Sequence, residues 1–173
     1  MQRIIPHLWY DKEAKEAAEF YVSVFGDGSK ITHVSTIHNT PSGDCDIVSF
    51  QLAGQEFMAI SAGPYFKMNP SISFHVKCKT AEEVDAIWAK LSPGGKVLME
   101  LDKYPFSERY GWVQDKYGLS WQVIHAGDKP ITQKFTPVLM FTQAMAGKAE
   151  EAMNFYTSVF LGQGNVYMRY GKG

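Results

Sequence analysis

The chain has 173 residues, of which 45% are hydrophobic and 14% aromatic, and a formal net charge of −1 at pH 7. This length fits one domain, or one domain and part of another. No run of Lys and Arg and no apolar stretch near the ~20 residues of a membrane span occurs, which argues against nucleic acid and membrane partners. The N-terminus lacks the apolar segment of a signal peptide. Cys45 and Cys78 form no metal motif or disulfide framework, so we predict a cytoplasmic protein.

The first sixty residues predict a strand, a helix and three further strands. Asp11 is taken as the N-cap of the helix, and apolar residues recur along it at the spacing of one buried stripe. Gly26 follows the helix as a C-terminal glycine would. Residues 39–44 are rich in turn formers and predict a loop. The predicted elements are the strand Ile4–Tyr10, the helix ending at Phe25, and the strands Lys30–Ile37, Asp46–Leu52 and Gln55–Ser61.

A linker with two prolines, residues 62–70, separates this pattern from a second copy of it. Thr80 and Glu83 have the spacing of a capping box at the start of the second helix. The stretch from Trp112 to Ile124 predicts a tight hairpin in which Gly118 takes positive φ. The predicted elements are the strand Ser71–Cys78, the helix 80–91, and the strands Lys96–Leu101, Tyr110–Gln114 and Leu119–Ile124. Residues 3–126 therefore contain two βαβββ modules.

Four stretches carry a family resemblance: IIPHLWYDKEAKEAAEFYVSVFGDGSKI, FMAISAGPYFKMNPSISFHVKC, TAEEVDAIWAKL and GWVQDKYGLSWQVI. They resemble PhnB-like proteins of the glyoxalase/bleomycin resistance/dioxygenase (vicinal oxygen chelate) superfamily. The resemblance implies an α+β fold in which paired βαβββ modules, residues 1–62 and 71–127, form one glyoxalase/bleomycin-resistance-like domain, 1–127. Some relatives carry a 3-demethylubiquinone-9 3-methyltransferase label. The sequence has no glycine-rich nucleotide loop after a first parallel strand, which disfavours that activity.

The segment 128–173 contains an incomplete third repeat. Residues 136–170 resemble residues 5–37, and 152–160 align with 17–25 without a gap. The repeat predicts a strand, a helix and a strand, without the last two strands of a module. It is interpreted either as a shortened version of a two-domain relative or as a tail that docks on another subunit. An incomplete module leaves an apolar helix face uncovered, so we predict a homodimer with residues 136–170 at the interface.

The metal-dependent enzymes of the superfamily take ligands from the first and last strands of each module, and three residues here are candidates by resemblance. His7 lies in the first strand, His75 in the fifth and Gln122 in the last. Such ligands must converge while leaving positions open for a substrate. Gln is a neutral, poor ligand, so a divalent metal remains an alternative rather than the expected cofactor. The alternatives are a hydrogen-bonded histidine on the cavity wall for His7, a satisfied interior histidine for His75, and a structural hydrogen bond closing the last strand for Gln122.

The fourth strand offers no carboxylate on the face that we assign to the cavity. Phe57, Ala59 and Ser61 are assigned to that face, and Glu56 to the opposite one. The predicted cavity is rich in aromatic and amide groups, as a small-molecule site requires. The predicted ligand-binding residues are His7, Trp9, Phe57, Ser61, His75, Trp112 and Gln122.

Two segments, 63–70 and 102–111, are candidate rims of this cavity. Lys67, Lys103 and Arg109 lie in them and are candidates for holding an anionic substrate. The function favoured by the sequence is metal-independent binding of a small molecule whose identity the sequence does not give. The alternatives are a metal-dependent lyase, isomerase or dioxygenase acting on vicinal oxygens, and a dimerisation or interaction module with a vestigial cavity.

Overall fold

The computed structural model describes residues 4–160 and 162–164. Compact packing divides the chain into two units, with the boundary after Val138. The first unit therefore includes residues 128–138, which the sequence grouped with the third repeat. No helix among the described residues is long and apolar enough to cross a membrane.

The first module folds as predicted, with one helix against a four-stranded sheet. The strand order is β1-β4-β3-β2, and β1 runs parallel to β4 while the other pairs are antiparallel. Strand β1 therefore lies at an edge of the sheet. The elements are β1 (His7–Tyr10), α1 (Ala14–Phe25), β2 (Lys30–Thr40), β3 (Gly43–Leu52) and β4 (Gln55–Ser61).

The second module repeats this arrangement and gains one strand. The sheet order is β6-β7-β8-β5-β9, with β9 added at the outer edge of β5. The predicted α+β fold of paired βαβββ modules is thus confirmed. The elements are β5 (Ile72–Cys78), α2 (Ala81–Leu91), β6 (Lys96–Tyr104), β7 (Ser107–Gln114), β8 (Ser120–His125) and β9 (Phe135–Leu139).

Two local predictions for the first module were wrong. Strands β2 and β3 continue through most of the predicted loop, because residues 39–44 form part of a long hairpin. Asp11 does not cap α1, which begins at Ala14 after Glu13 without a side-chain bond from its N-cap. Instead, the Ser61 hydroxyl of β4 accepts a hydrogen bond from the Ala14 N–H at 3.1 Å. A residue distant in sequence therefore satisfies an exposed donor of the first helical turn.

The capping of α2 agrees with the sequence. Thr80 Oγ1 accepts a hydrogen bond from the Glu83 N–H at 3.2 Å, and the Glu83 carboxylate accepts one from the Lys79 N–H at 2.8 Å. On the same helix, the Trp88 ring lies against Gly111 of β7, where an added Cβ would be 2.4 Å from the ring. Gly111 is therefore needed for α2 to approach its sheet.

The two modules share one aromatic core. Trp121 of β8 is fully buried, and its ring centre lies 5.2 Å from those of Tyr21 and Phe25 in α1. Phe57 of β4 and Phe74 of β5 are buried 5.3 Å apart and join the two sheets. Such ring pairs stabilise a core beyond the area that they bury.

A buried carboxylate organises the turn between β7 and β8. Asp115 is 4% exposed, and its Oδ1 accepts hydrogen bonds from the N–H groups of Tyr117 and Leu119 at 2.8 and 3.1 Å. Its Oδ2 accepts one from Trp121 Nε1 at 2.7 Å. Burial raises the pKa of Asp115 above its ordinary value, and these bonds partly offset that rise. Gly118 has φ +87°, as the hairpin prediction required.

Strand β9 is tied to the second module by two polar contacts. The Lys77 N–H of β5 donates to the Lys134 carbonyl at 3.0 Å. The Lys134 ammonium pairs with the Glu83 carboxylate of α2. The segment that follows the second module is thereby fixed beside it.

Phe135 of β9 completes the shared core. Its side chain is 1% exposed, and its ring lies 4.8 Å from Phe25 and 5.6 Å from Phe57. The Gln55 side-chain amide makes two hydrogen bonds with the Phe135 backbone. Gln55 Oε1 accepts from the Phe135 N–H at 2.7 Å, and Gln55 Nε2 donates to the Phe135 carbonyl at 3.1 Å. A residue beyond both predicted modules thus packs against the first of them.

The second unit contains the helix of the third repeat, α3 (Ala149–Val159), preceded by a single 3₁₀ turn, Gln143–Met145. None of the described residues of α3 is buried. The predicted strand after this helix lies outside the described residues.

Replacing Phe135 with alanine should lower the free energy of unfolding by about 3–5 kcal/mol, because it leaves a cavity between the modules. Denaturant titration followed by fluorescence would measure this loss. Tyr65→Ala is the matched control, since Tyr65 is 66% exposed and lies outside residues 136–170, and its cost should stay within about 0.5 kcal/mol. Equal losses in the two variants would contradict the core position of Phe135.

The Cys78 thiol should be unreactive in the folded protein. Burial raises its pKa from 9.0 to about 12, so at pH 8 its thiolate fraction falls about 1000-fold. Because the folded pKa is the higher one, the stability that this thiol contributes is intact below about pH 9 and is lost as the pH rises towards 12.

A Cys45→Ser variant isolates Cys78 for this measurement with a chromogenic disulfide reagent. Colour should appear only after denaturant is added. Rapid colour release from the folded variant would contradict the burial of Cys78.

Candidate functional site

Each sheet has one face against the core and a second face turned away from it. On the first sheet, His7 pairs with Met58 and Trp9 with Ile60, so these four side chains share a face. The alternate residues of β1, such as Leu8, are buried in the core. His7 and Trp9 therefore lie together on the face away from the core.

The predicted orientation of β4 was wrong. Phe57 is 1% exposed in the core, and Ser61 is bonded to the start of α1. Both therefore point away from the face that carries His7. Glu56, two residues before Met58, lies on the His7 face. Alternation did not settle the orientation, because the other face of β4 also carries apolar residues, the half-buried Met58 and Ile60.

The second sheet carries the other three predicted site residues in one row. His75 of β5 pairs with Gln122 of β8, and Gln122 pairs with Trp112 of β7. All three are half-buried. Burial, and secondarily the charge of Lys77, lowers the pKa of His75, which favours its neutral form.

A hydrogen-bonded network occupies the amide of Gln122. Tyr110 donates its hydroxyl proton to Gln122 Oε1 at 2.8 Å, and Gln122 Nε2 donates to Ser73 Oγ at 2.8 Å. Beside it, Trp112 Nε1 donates to Ser120 Oγ at 2.7 Å. The interpretation of Gln122 as a structural hydrogen-bonding residue is thus supported by its contacts.

A pocket of about 390 Å³ opens where edge strand β1 meets the loop 62–70 and the start of β5. It contains His7 and Trp9 but none of the other five predicted ligand-binding residues. Most of its surface is apolar, with polar groups from His7, Lys67 and Asn69. The lining residues are Ile4, Pro6, His7, Leu8, Trp9, Phe66, Lys67, Met68, Asn69, Ile72, Phe74, Leu119 and Pro137.

Two contacts of Trp9 shape this pocket. Its Nε1 donates to the Gly63 carbonyl at 2.8 Å, which fixes the indole and the start of the loop. The Phe66 ring meets the indole edge-on, with centres 5.0 Å apart and an interplanar angle of 89°. We refer to the perpendicular rings of Trp9 and Phe66 as the aromatic corner.

The predicted rims have different roles. Residues 66–69 do line the pocket, and Lys67 is among them. Lys103 pairs with Glu108 at 2.7 Å and Arg109 with Asp85 at 2.6 Å, and none of these four lines the pocket. Of the three cations that the sequence proposed, only Lys67 is therefore placed to reach a ligand there.

The pocket does not bring the three metal candidates together. His7 lies in the first sheet at the pocket, whereas His75 and Gln122 lie in the second sheet and do not line that pocket. Throughout residues 4–160 and 162–164, no group of three or more His, Cys, Asp or Glu side chains is close enough to hold a metal ion. The donor atoms brought together here do not fit a metal centre.

Sequence reasoning missed the lining residues that β5 and β9 contribute. Ile72 and Pro137 line the pocket, and residues 131–135 line a second cavity of about 760 Å³ beside Gln55. Pro137 aligns with Pro6 in the internal repeat. That alignment predicted a strand here, but not that the strand would join the second sheet beside β5.

Comparisons with known proteins agree with this fold. The family described as 3-demethylubiquinone-9 3-methyltransferase matches residues 2–124. The PhnB protein from Bacillus cereus is 40% identical, with 72% of this chain and 100% of that chain covered and a TM-score of 0.66. Protein PA1353 from Pseudomonas aeruginosa is 20% identical over 74% of this chain and 100% of its own, with a TM-score of 0.63.

The fosfomycin resistance protein FosX from Listeria monocytogenes shares the fold at 13% identity. The match covers 71% of this chain and 91% of FosX, with a TM-score of 0.53. A search of the curated proteins finds no match.

Replacing Gln122 with alanine should cost about 1–3 kcal/mol of stability, because it leaves the Tyr110 and Ser73 hydroxyls without their partner. Thermal and denaturant unfolding would measure the loss. Gln51→Ala is the control, since Gln51 is also half-buried and its side chain makes no hydrogen bond with the described residues. A loss no larger than that of the control would contradict a structural role for Gln122.

Proposed function

We propose that this chain, which belongs to the family described as 3-demethylubiquinone-9 3-methyltransferase and has the glyoxalase/bleomycin-resistance fold, is a small-molecule-binding protein. The observation that carries the proposal is the pocket beside β1, which contains the aromatic corner. Its volume of about 390 Å³ lies within the range of sites for small organic ligands. Apolar walls with a few polar groups supply affinity from burial and orientation from hydrogen bonds.

The proposed binding does not depend on a metal. The alternative, a metal-dependent lyase, isomerase or dioxygenase, needs His7, His75 and Gln122 to converge on one ion. Of these three residues only His7 lines the pocket, and both ends of the Gln122 amide are bonded to protein groups. The family description names a methyltransferase, but the sequence lacks a glycine-rich nucleotide loop, and no such activity is proposed.

We also propose that the protein is a homodimer that covers α3. The alignment of 152–160 with 17–25 pairs Tyr156 and Val159 with Tyr21 and Val24. The α1 residues are 0% and 5% exposed, whereas their α3 counterparts are 44% and 56% exposed. The apolar stripe that is buried in α1 is therefore exposed in α3, and contact with a second copy of the chain would bury it.

The buried free thiols of Cys45 and Cys78 fit a cytoplasmic location.

The pocket should bind the neutral fluorescent probe N-phenyl-1-naphthylamine at one site per chain. Its fluorescence should rise on titration, and a chelator should leave the affinity unchanged. Trp9→Leu removes one ring of the aromatic corner and should weaken binding about tenfold. Trp112→Leu makes the same change on the second sheet and should have little effect. Loss of binding on chelation, or equal losses in both variants, would reject the proposal.

The dimer should be visible by light scattering at micromolar concentration. Val159→Glu places a charge in the exposed stripe and should shift the protein towards monomer. Ser158→Glu adds the same charge beside the stripe and should leave the dimer intact. A monomeric parent protein would refute the dimer.

A further inference from the structure

We propose that the natural ligand of this pocket is a flat aromatic anion, held by its ring against Trp9 and Phe66 and by its charge at Lys67. The inference rests on the proposed binding function and adds the chemical class of the ligand. Three features of the pocket carry it: the chemistry that Trp9 leaves available, the anchoring of the loop, and the charges in the lining.

Trp9 offers a ligand its ring and not its hydrogen-bond donor. The indole has one N–H, and the Gly63 carbonyl already accepts it at 2.8 Å. Phe66 likewise contributes only a ring, at 89° to the indole. A planar aromatic ligand can therefore stack on one ring while its edge meets the face of the other, and both geometries are favourable. A flexible aliphatic ligand gains neither contact.

The loop that carries Phe66 and Lys67 is anchored at both ends. Its start is fixed by the bond from Trp9 to Gly63. Its end is fixed by Asn69, whose Oδ1 accepts from the Ser71 N–H at 3.0 Å and whose carbonyl accepts from the Ile72 N–H at 3.3 Å. These bonds hold residues 66–68 at the pocket, so the loop loses less conformational entropy when a ligand binds.

The charges in the lining favour an anion. Lys67 is a lining residue, and no Asp or Glu is among the described residues that form the pocket wall. Unlike Lys103 and Lys134, Lys67 makes no ion pair with a described residue. Lys67 is exposed, and it shares the pocket lining with the buried apolar residues Leu8 and Phe74. Its charge attracts an anion, and salt screens that attraction.

Two fluorescent probes separate the aromatic and the charged contributions. 1-Anilinonaphthalene-8-sulfonate carries the ring system of N-phenyl-1-naphthylamine together with one sulfonate. Titration of the full-length protein at low ionic strength should show the sulfonate binding about tenfold more tightly, equivalent to about 1.4 kcal/mol. This advantage should shrink as salt is added.

Substitutions of Lys67 then test the source of the advantage. Lys67→Met should bring the two affinities together, and Lys67→Arg should preserve the difference. Lys103→Met is the matched control, because it removes the same charge from a residue that pairs with Glu108 away from the pocket. It should leave both affinities unchanged, and thermal melting would verify that each variant is folded.

The outcomes distinguish the inference from the function on which it rests. If both probes bind the parent protein equally, or if the advantage of the sulfonate survives in Lys67→Met, the inference is overturned while ligand binding stands. If neither probe binds at one site per chain, the proposed function fails and the inference fails with it.

Discussion

The packing of the two modules depends on one buried carboxylate. Asp115 lies in a turn of the second module, yet it contacts Tyr21 of α1 in the first, and Tyr21 in turn lies 3.0 Å from the Tyr10 hydroxyl of β1. The Asp115 carboxylate also accepts hydrogen bonds from the Tyr117 N–H in the turn and from the indole N–H of Trp121. Because a buried charge is tolerated only when it is well bonded, these partners must all be in place together. The turn, α1 and β1 are thereby held in one arrangement.

The position of β1 at a sheet edge explains the form of the pocket. An edge strand has no neighbour on one side, so a ligand can approach residues from both of its faces. His7 and Trp9 come from the face away from the core, and Leu8 comes from the core face. The loop 62–70 closes the open side through the bond to Trp9. The pocket is thus a product of strand order as much as of residue type.

The sequence predicted the features that local patterns determine. The repeated strand and helix pattern predicted both modules, Thr80 and Gly118 predicted a cap and a turn, and His7 and Trp9 were assigned to one cavity. The orientation of β4 could not be predicted in this way, since both of its faces are apolar. Ser61 acts as a cap for a helix 47 residues away, a long-range contact that no local spacing reveals.

Phe135 has a consequence for how chains of this kind can be recombined. The family match ends at residue 124, so a gene fusion guided by that boundary would separate Phe135 from Phe25 and Phe57, against which its ring packs. The compact unit instead ends after Val138. A module exchanged at the repeat boundary would leave Phe135 in place but divide β9 (Phe135–Leu139) after its first residue. The unit of duplication and the unit of folding therefore overlap by one strand.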